Sequence, residues 1–349
     1  MRAATWARVP ARRRLIPARL NKRALAEPVA AAVASSRLLR WGAWRGVLTL
    51  CYHRIHPGGE PRFDPGLLSA TADGFAEQLE FIAQNFDVIS PEAIGRDLGA
   101  SGRRVVLTFD DGYRDNYELA LPALRKQGLP AAFFLTTGFL DEPRLPWWDE
   151  LAWMVDRSTV DRIPAENWLP RAIALADRRR AVAELTAHYK ALPSDRGEDF
   201  LEFCGEATGG GRAGVDIAAD LWMTWDMAAR IRDAGMTIGG HTVNHPVLAA
   251  SSSEAQHYEV SECLRRLEEK LGERPTVFAY PVGLPSAFDL TTREILRGAG
   301  VDLAFSLYGG YVRPGRLDPL DIPRASVSLQ MTRVGFRAML GAPGLFARW

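Results

Sequence analysis

The run Val105-Val106-Leu107-Thr108-Phe109, followed at once by Asp110, Asp111 and Gly112, restricts the folds open to this chain more than any other stretch. A short, wholly apolar, β-rich segment suits a strand buried on both faces, as in parallel sheets with helical crossovers. In such sheets ligands bind beyond the carboxyl ends of the strands. The two carboxylates therefore fall where chemistry is done. Neighbouring strand residues point opposite ways, but the strand ends here, and Gly112 lets the backbone turn so that both acids face one pocket. The plainer alternative is that the pair caps a following helix, whose first turn Asp115 and Glu118 would suit.

A second element shifts that balance. In Gly239-Gly240-His241-Thr242-Val243-Asn244-His245-Pro246, two histidines sit four apart after the short apolar stretch Met236 to Ile238. On a helical turn, residues four apart share a face, so both imidazoles could reach one ion. Two His and one carboxylate suit Zn²⁺ or another divalent transition metal and leave positions open for water.

Thr108-Phe109-Asp110-Asp111-Gly112 and His241-Thr242-Val243-Asn244-His245 resemble the first two motifs of the polysaccharide deacetylase family, also called NodB-homology or carbohydrate esterase family 4. The resemblance runs from about Thr49 to Val327. It implies that Asp110 is the catalytic base and that Asp111, His241 and His245 hold a divalent metal, zinc by preference. Val277-Phe278-Ala279-Tyr280-Pro281-Val282-Gly283 resembles the third motif, in which the residue after the proline, here Val282, offers its backbone N–H to an oxyanion. Gly46 to Arg54 reads as the first strand, and its Tyr52-His53-Arg54 ending resembles a segment of exopolysaccharide-type members.

Two departures from the family pattern matter. The arginine that the third motif places two residues before its proline is Ala279 here, and Arg324 is the expected replacement partner for Asp110. The late histidine that serves the family as general acid is absent, since no histidine follows His257. His53, at the end of the first strand, is either structural or the proton donor; otherwise Asp110 or water supplies the proton.

Strands alternating with helices give an α/β fold class, expected as a distorted (β/α) barrel with an inserted helical subdomain. Helices are expected at Asp73–Asn85, Tyr117–Gln127, Thr224–Asp233, Glu254–Leu271 and Thr291–Arg297. Strands are expected at 86–89, 131–135 and 303–306, with a strand and turn over 277–283. The catalytic domain spans 46–327 in this reading, with the insertion over about 141–219, including a helix at 171–192 and a flexible Gly209-Gly210-Gly211 link. Residues 328–349 are a C-terminal tail. The cluster Trp147, Trp148 and Trp153 reads as core packing, with a sugar-stacking platform as the alternative.

The net charge of +1 hides an asymmetry: residues 1–45 carry eleven Lys or Arg against the single acid Glu27, which is +10, so the remainder carries −9. Such an arm is either a solvated tail or a contact with an anionic surface. Pro28 to Trp44 could form an amphipathic helix, and with Trp41 and Trp44 a membrane surface is expected rather than nucleic acid. Cys51, Cys204 and Cys263 show no CxxC spacing and fit a reducing compartment. No apolar run approaches the ~20 residues of a membrane span. The expected location is cytoplasmic, peripheral to a membrane. The expected function is metal-dependent removal of N-acetyl groups from amino sugars of a glycan or glycan precursor. Alternatives are a deformylase or cyclic-amide hydrolase on the same site, or a glycan-binding pseudoenzyme.

Overall fold

Eight short strands carry the molecule: β1 (Val47–Tyr52), β2 (Arg104–Phe109), β3 (Ala132–Leu135), β4 (Thr237–Gly240), β5 (Val277–Ala279), β6 (Leu303–Ser306), β7 (Ile322–Pro323) and β8 (Ala325–Ser326). In the computed structural model, which describes residues 44–59, 63–97, 102–166 and 168–346, β1 to β7 lie side by side in chain order and all pair in parallel. β8 then pairs in parallel with β1, aligning Leu50 with Ala325 and Cys51 with Ser326. A single residue, Arg324, separates the strand on one edge from the strand on the other. The sheet is thereby rolled into a nearly closed barrel, as expected. A strand at 311–312 pairs antiparallel with the start of β1.

The period-2 alternation of each strand sorts its side chains. Val47, Val106, Ala132, Phe134, Ala279 and Phe305 fill the barrel interior. Leu48, Leu50, Leu107, Phe109, Phe133 and Leu135 face outward onto the surrounding helices. Every one of these is buried, and each large side chain contributes about 1.5–3 kcal/mol through burial.

The helices follow their sequence signals. α1 (Ala72–Asn85) is capped by Thr71, whose hydroxyl accepts from the Gly74 N–H, and it buries Phe75, Leu79 and Ile82. α2 (Leu121–Gln127) stops at left-handed Gly128, but the turn before it, 116–120, is a π-helix. α3 (Thr137–Asp141) follows β3. The insertion holds α4 (Trp147–Asp156), α5 (Arg178–Tyr189) and α6 (Gly197–Thr208) around its own apolar core, which includes Trp147, Trp148, Leu151, Met154 and Phe200. α7 (Trp225–Asp233) and α8 (Ser253–Leu271) flank β4, each with a hydroxyl N-cap, Thr224 and Ser252. α9 (Leu290–Gly298) begins in a capping box formed by Asp289 and Thr292.

Three expectations change. The stretch 171–192 is not one helix. Ile173–Ala174 pairs antiparallel with Arg162–Ile163, and α5 starts only at Arg178, where the Asp177 carboxylate accepts from the Arg180 N–H and so fixes a helix start. The triple glycine is not a loose link: Gly209 caps α6 in the left-handed region, and a Cβ there would come within 2.2 Å of Thr159 Oγ1. The C-terminal segment forms α10 (Arg333–Gly341), which buries Phe336, Met339 and Leu340 on the barrel. The expected helix from Pro28 and the basic arm lie outside the described residues, apart from Arg45 and, at the end of that helix, Trp44. Its indole N–H donates to the Leu340 carbonyl at 3.0 Å. Among the described residues no helix is long and apolar enough to cross a membrane.

Candidate metal centre and its buried carboxylate pair

Asp110 and Thr108 share the inward face of β2 by strand alternation. Asp111 should point away, and it reaches the same pocket because its own backbone turns. Its φ is 77°, followed by Gly112 at 89°. The turn thus lies on Asp111 itself as well as on the glycine. Left-handed geometry at a non-glycine residue costs about 1–3 kcal/mol. It is held by the Thr136 N–H, which donates to the Asp111 carbonyl at 3.3 Å, and by the Met223 N–H, which donates to the Gly112 carbonyl at 3.1 Å.

The histidines converge by a different route from the helical turn expected. Residues 241–246 are a loop with Thr242 at φ 67° and His245 at φ 58°. From below, the first N–H groups near α3 grip it: Thr137 donates to the Thr242 carbonyl at 3.1 Å and Gly138 to the Val243 carbonyl at 2.9 Å. That approach needs glycine, since a Cβ on residue 138 would lie 2.5 Å from the Val243 oxygen. From α8, the buried Glu259 accepts from the backbone N–H groups of Val243 and Asn244 and from Asn244 Nδ2, each at 2.8 Å. A carboxylate thus fills a concavity of backbone N–H groups. Burial is the largest influence on Glu259 and leaves its pKa raised despite those bonds.

His241 Nε2 and His245 Nε2 lie 3.3 and 3.5 Å from Asp111 Oδ1. That oxygen is buried and has no hydrogen-bond partner among the described residues. One ligand atom from each of the three residues falls within 4.8 Å of the others. His241 Nδ1 sits 2.7 Å from the Ala279 carbonyl, which fixes the ring with Nε2 toward Asp111. Burial is the chief influence on His245 and pulls its pKa down to about 3, so the ring is neutral and able to ligate. Burial would also lower His241, but Asp110 and Asp111 outweigh it and the net shift is upward. An orphaned carboxylate oxygen facing two buried imidazoles fits a divalent metal, and the N₂O donor set suits zinc.

Arg324 reaches Asp110 from the seam of the barrel. Its Nη1 and Nη2 lie 2.6 and 2.7 Å from Asp110 Oδ1 and Oδ2, and the same guanidinium bonds Thr108 Oγ1 and the Ser306 carbonyl. Burial alone would raise Asp110, yet Arg324 and His241 together hold its carboxyl well below the usual carboxylate range. At the third-motif position Ala279 supplies a carbonyl to His241, and the guanidinium comes from Arg324 instead.

His53 follows β1 directly. Its ring nitrogen, Cys51 Sγ and an Asp110 oxygen lie within 4.8 Å of one another. Its backbone is tied down at both ends, the N–H to Ser69 Oγ at 2.9 Å and the carbonyl to Asn116 Nδ2 at 2.7 Å. Val282 adopts φ 61°, a conformation rare for a β-branched residue. Among the described residues, the four non-glycine residues with positive φ, Asp111, Thr242, His245 and Val282, all belong to the three motif segments.

Three neighbours were not singled out from sequence. Cys51 donates toward Asp110 Oδ2 at 3.5 Å; it is two residues before His53 on β1, and register with β2 was the available signal. Glu259 carried none beyond its place on a long helix. Trp148, read only as part of a cluster, packs edge-on against His245 with ring centroids 4.5 Å apart. Trp147 and Trp148 are both buried, so they pack the insertion core rather than present a face to solvent.

The chain is thus a nearly closed (β/α) barrel that gathers two aspartates and two histidines beyond its strand ends, three of which, Asp111, His241 and His245, could hold a metal ion. Residues 98–168 and 204–304 match the family model for polysaccharide deacetylase, and the chain belongs to that family. The matched segments pass over 169–203, which lies in the insertion. A Bacillus subtilis (strain 168) protein, YxkH, described as a candidate polysaccharide deacetylase, is 31% identical over 91 residues, which are 25% of this chain and 30% of that protein. The match therefore spans less than a third of that relative. The structure of IcaB from Ammonifex degensii aligns at TM-score 0.54 and 21% identity over 88% of this chain and 99% of that one. The Streptococcus pyogenes deacetylase PplD, solved in complex with acetate, aligns at TM-score 0.53 and 18% identity over 82% and 94%. These two likenesses establish the fold.

Proposed function

We propose that this protein is a metal-dependent hydrolase that removes N-acetyl groups from amino sugars of a glycan or glycan precursor. The observation that carries the reading is the buried Asp111–His241–His245 set beside an ionised Asp110. Family membership, and the deacetylase description of a structural relative, support it. Asp111, His241 and His245 would hold the metal, which when bound supplies Lewis acidity toward an acetyl carbonyl and lowers the pKa of water. Arg324 keeps Asp110 ionised, hence always in the form that accepts a proton from the attacking water. General base catalysis of this kind contributes ~10²–10⁴ in rate. The Val282 N–H, turned by its left-handed backbone, donates to the oxygen on which charge develops. His53 gives a proton to the departing amine nitrogen as the C–N bond breaks. Acetate and a free amine are the products.

The test is acetate release from an N-acetylated glucosamine oligomer, with zinc-depleted and zinc-restored protein compared. Release that needs zinc and disappears in Asp110→Asn supports the reading. Metal-replete protein that releases neither acetate nor formate from acetylated and formylated substrates would leave a glycan-binding role. Formate alone would reassign the substrate as a formamide. A cytoplasmic location, with the basic arm on an anionic membrane, completes the proposal. The arm's attraction would be about 1 kcal/mol per basic side chain at the surface. Equal vesicle partitioning by the full chain and by protein lacking residues 1–40 would refute that part.

A further inference from the structure

The two histidines of the candidate metal centre are oriented by different means. His241 has the usual support, a hydrogen bond from the ring nitrogen that faces away from the site, here to the Ala279 carbonyl. The corresponding nitrogen of His245, Nδ1, is buried and has no hydrogen-bond partner among the described residues. What meets the His245 ring instead is Trp148, with centroids 4.5 Å apart and planes inclined at 65°. This edge-to-face contact is favourable for aromatic rings and fixes their relative orientation.

Trp148 is itself held fast. Its indole N–H donates to Tyr113 Oη at 3.0 Å. Tyr113 stands two residues after Asp111 and stacks on Trp222, with centroids 4.7 Å apart at 18°. One indole therefore bridges the segment that carries the carboxylate ligand and the ring that completes the set. Trp148 is 5% exposed and His245 7%, so the contact between the two rings is closed off from water.

We infer that Trp148 is a positioning residue for His245, taking the part a hydrogen-bond acceptor plays for His241, and that helix α4 of the insertion is thereby a working part of the metal centre. The inference rests on reading Asp111, His241 and His245 as metal ligands.

The test measures zinc affinity of the full-length, metal-stripped protein by competition with a chromophoric chelator. Trp148→Leu should weaken zinc binding roughly 10–100-fold, the range seen when outer support of a ligand is lost. Trp148→Phe, which keeps a ring edge but not the N–H bond to Tyr113, should fall between. Met154→Ala, buried in the same core about 9 Å further along α4, should leave zinc affinity unchanged while lowering the melting temperature. In zinc-free protein, histidine ring NMR signals of His245 should move in Trp148→Leu while those of His241 stay. Wild-type zinc affinity in Trp148→Leu would overturn the inference, as would an equal loss in Met154→Ala. A wild-type protein that binds no zinc would instead bring down the metal reading, with the NMR comparison still deciding whether Trp148 orients His245.

Discussion

Arg324 meets Asp110 with two parallel N–H···O bonds of 2.6 and 2.7 Å, and both side chains are closed off from solvent. Burial alone would push this carboxyl up; the guanidinium, with His241 beside it, holds it ionised. Paired forks of this kind give geometric specificity as well as energy. They hold the plane of the Asp110 carboxylate, and Cys51 adds a weak third donor to Oδ2.

Removing one partner of such a pair leaves a buried charge behind. Arg324→Met should destabilise the fold by about 3–5 kcal/mol. Adding Asp110→Asn should recover part of that loss without restoring turnover. The lowered Asp110 pKa means its stabilising contribution is present above the ordinary carboxylate pKa and is lost as pH falls toward the folded value. The wild type should therefore lose stability on acidification below roughly pH 4, and the double variant less so. Urea denaturation across pH checks both expectations.

His53→Ala should lower kcat by about two orders of magnitude with metal content unchanged, because the ring stands beside Asp110 where it can reach a departing amine. A variant that loses stability in step with activity would show that the residue is structural. Full activity would leave Asp110 as both base and acid.

The barrel, and the meeting of Asp111 with His241 and His245, were legible because each rests on local signals. Apolar runs ending in Asp110-Asp111 and before His241 mark strands, and Phe75, Leu79 and Ile82 mark α1 by their spacing. Asp110 and Arg324 are 214 positions apart, so no local pattern connects them; only the missing arginine at 279 hinted that a replacement was needed. The route by which His245 reaches the site was hidden for another reason. A four-residue spacing suggests a helix, whereas two left-handed residues, Thr242 and His245, achieve the same convergence under grip from α3 and Glu259. Glu259 and Trp148 are ordinary residues of a helix and an aromatic cluster until the fold brings them to the loop.

Asp149 on α4 is fully buried, and one of its carboxylate oxygens has no partner among the described residues. Burial, partly offset by Arg54, pushes its pKa up to about 7. The folded protein therefore binds a proton that the unfolded chain releases near pH 4, so stability should fall as pH rises from about 4 to 7 and level off above. Asp149→Asn should flatten that slope and stabilise the protein above pH 7, by at most about 4 kcal/mol. Melting temperature measured against pH tests it. A slope unchanged in the variant would place the proton elsewhere, with Asp115, pushed up to about 6 mainly by burial, the next group to examine.

Glu259→Gln keeps the shape of the side chain but sets an amide NH₂ against Asn244 Nδ2, donor facing donor. The loop should lose about 1–3 kcal/mol of support, and zinc should bind more weakly while the barrel stays folded. Circular dichroism and chelator competition on the same sample separate the two effects.

Arg324 is the one residue between the strand that completes one edge of the sheet and the strand that meets the other. Asp110 and Arg324 lie 214 positions apart, so the acid meets its counter-charge only after every strand between them has been made. The pair forms only once the last strand has docked, so the charged carboxylate is itself a marker that the barrel has closed.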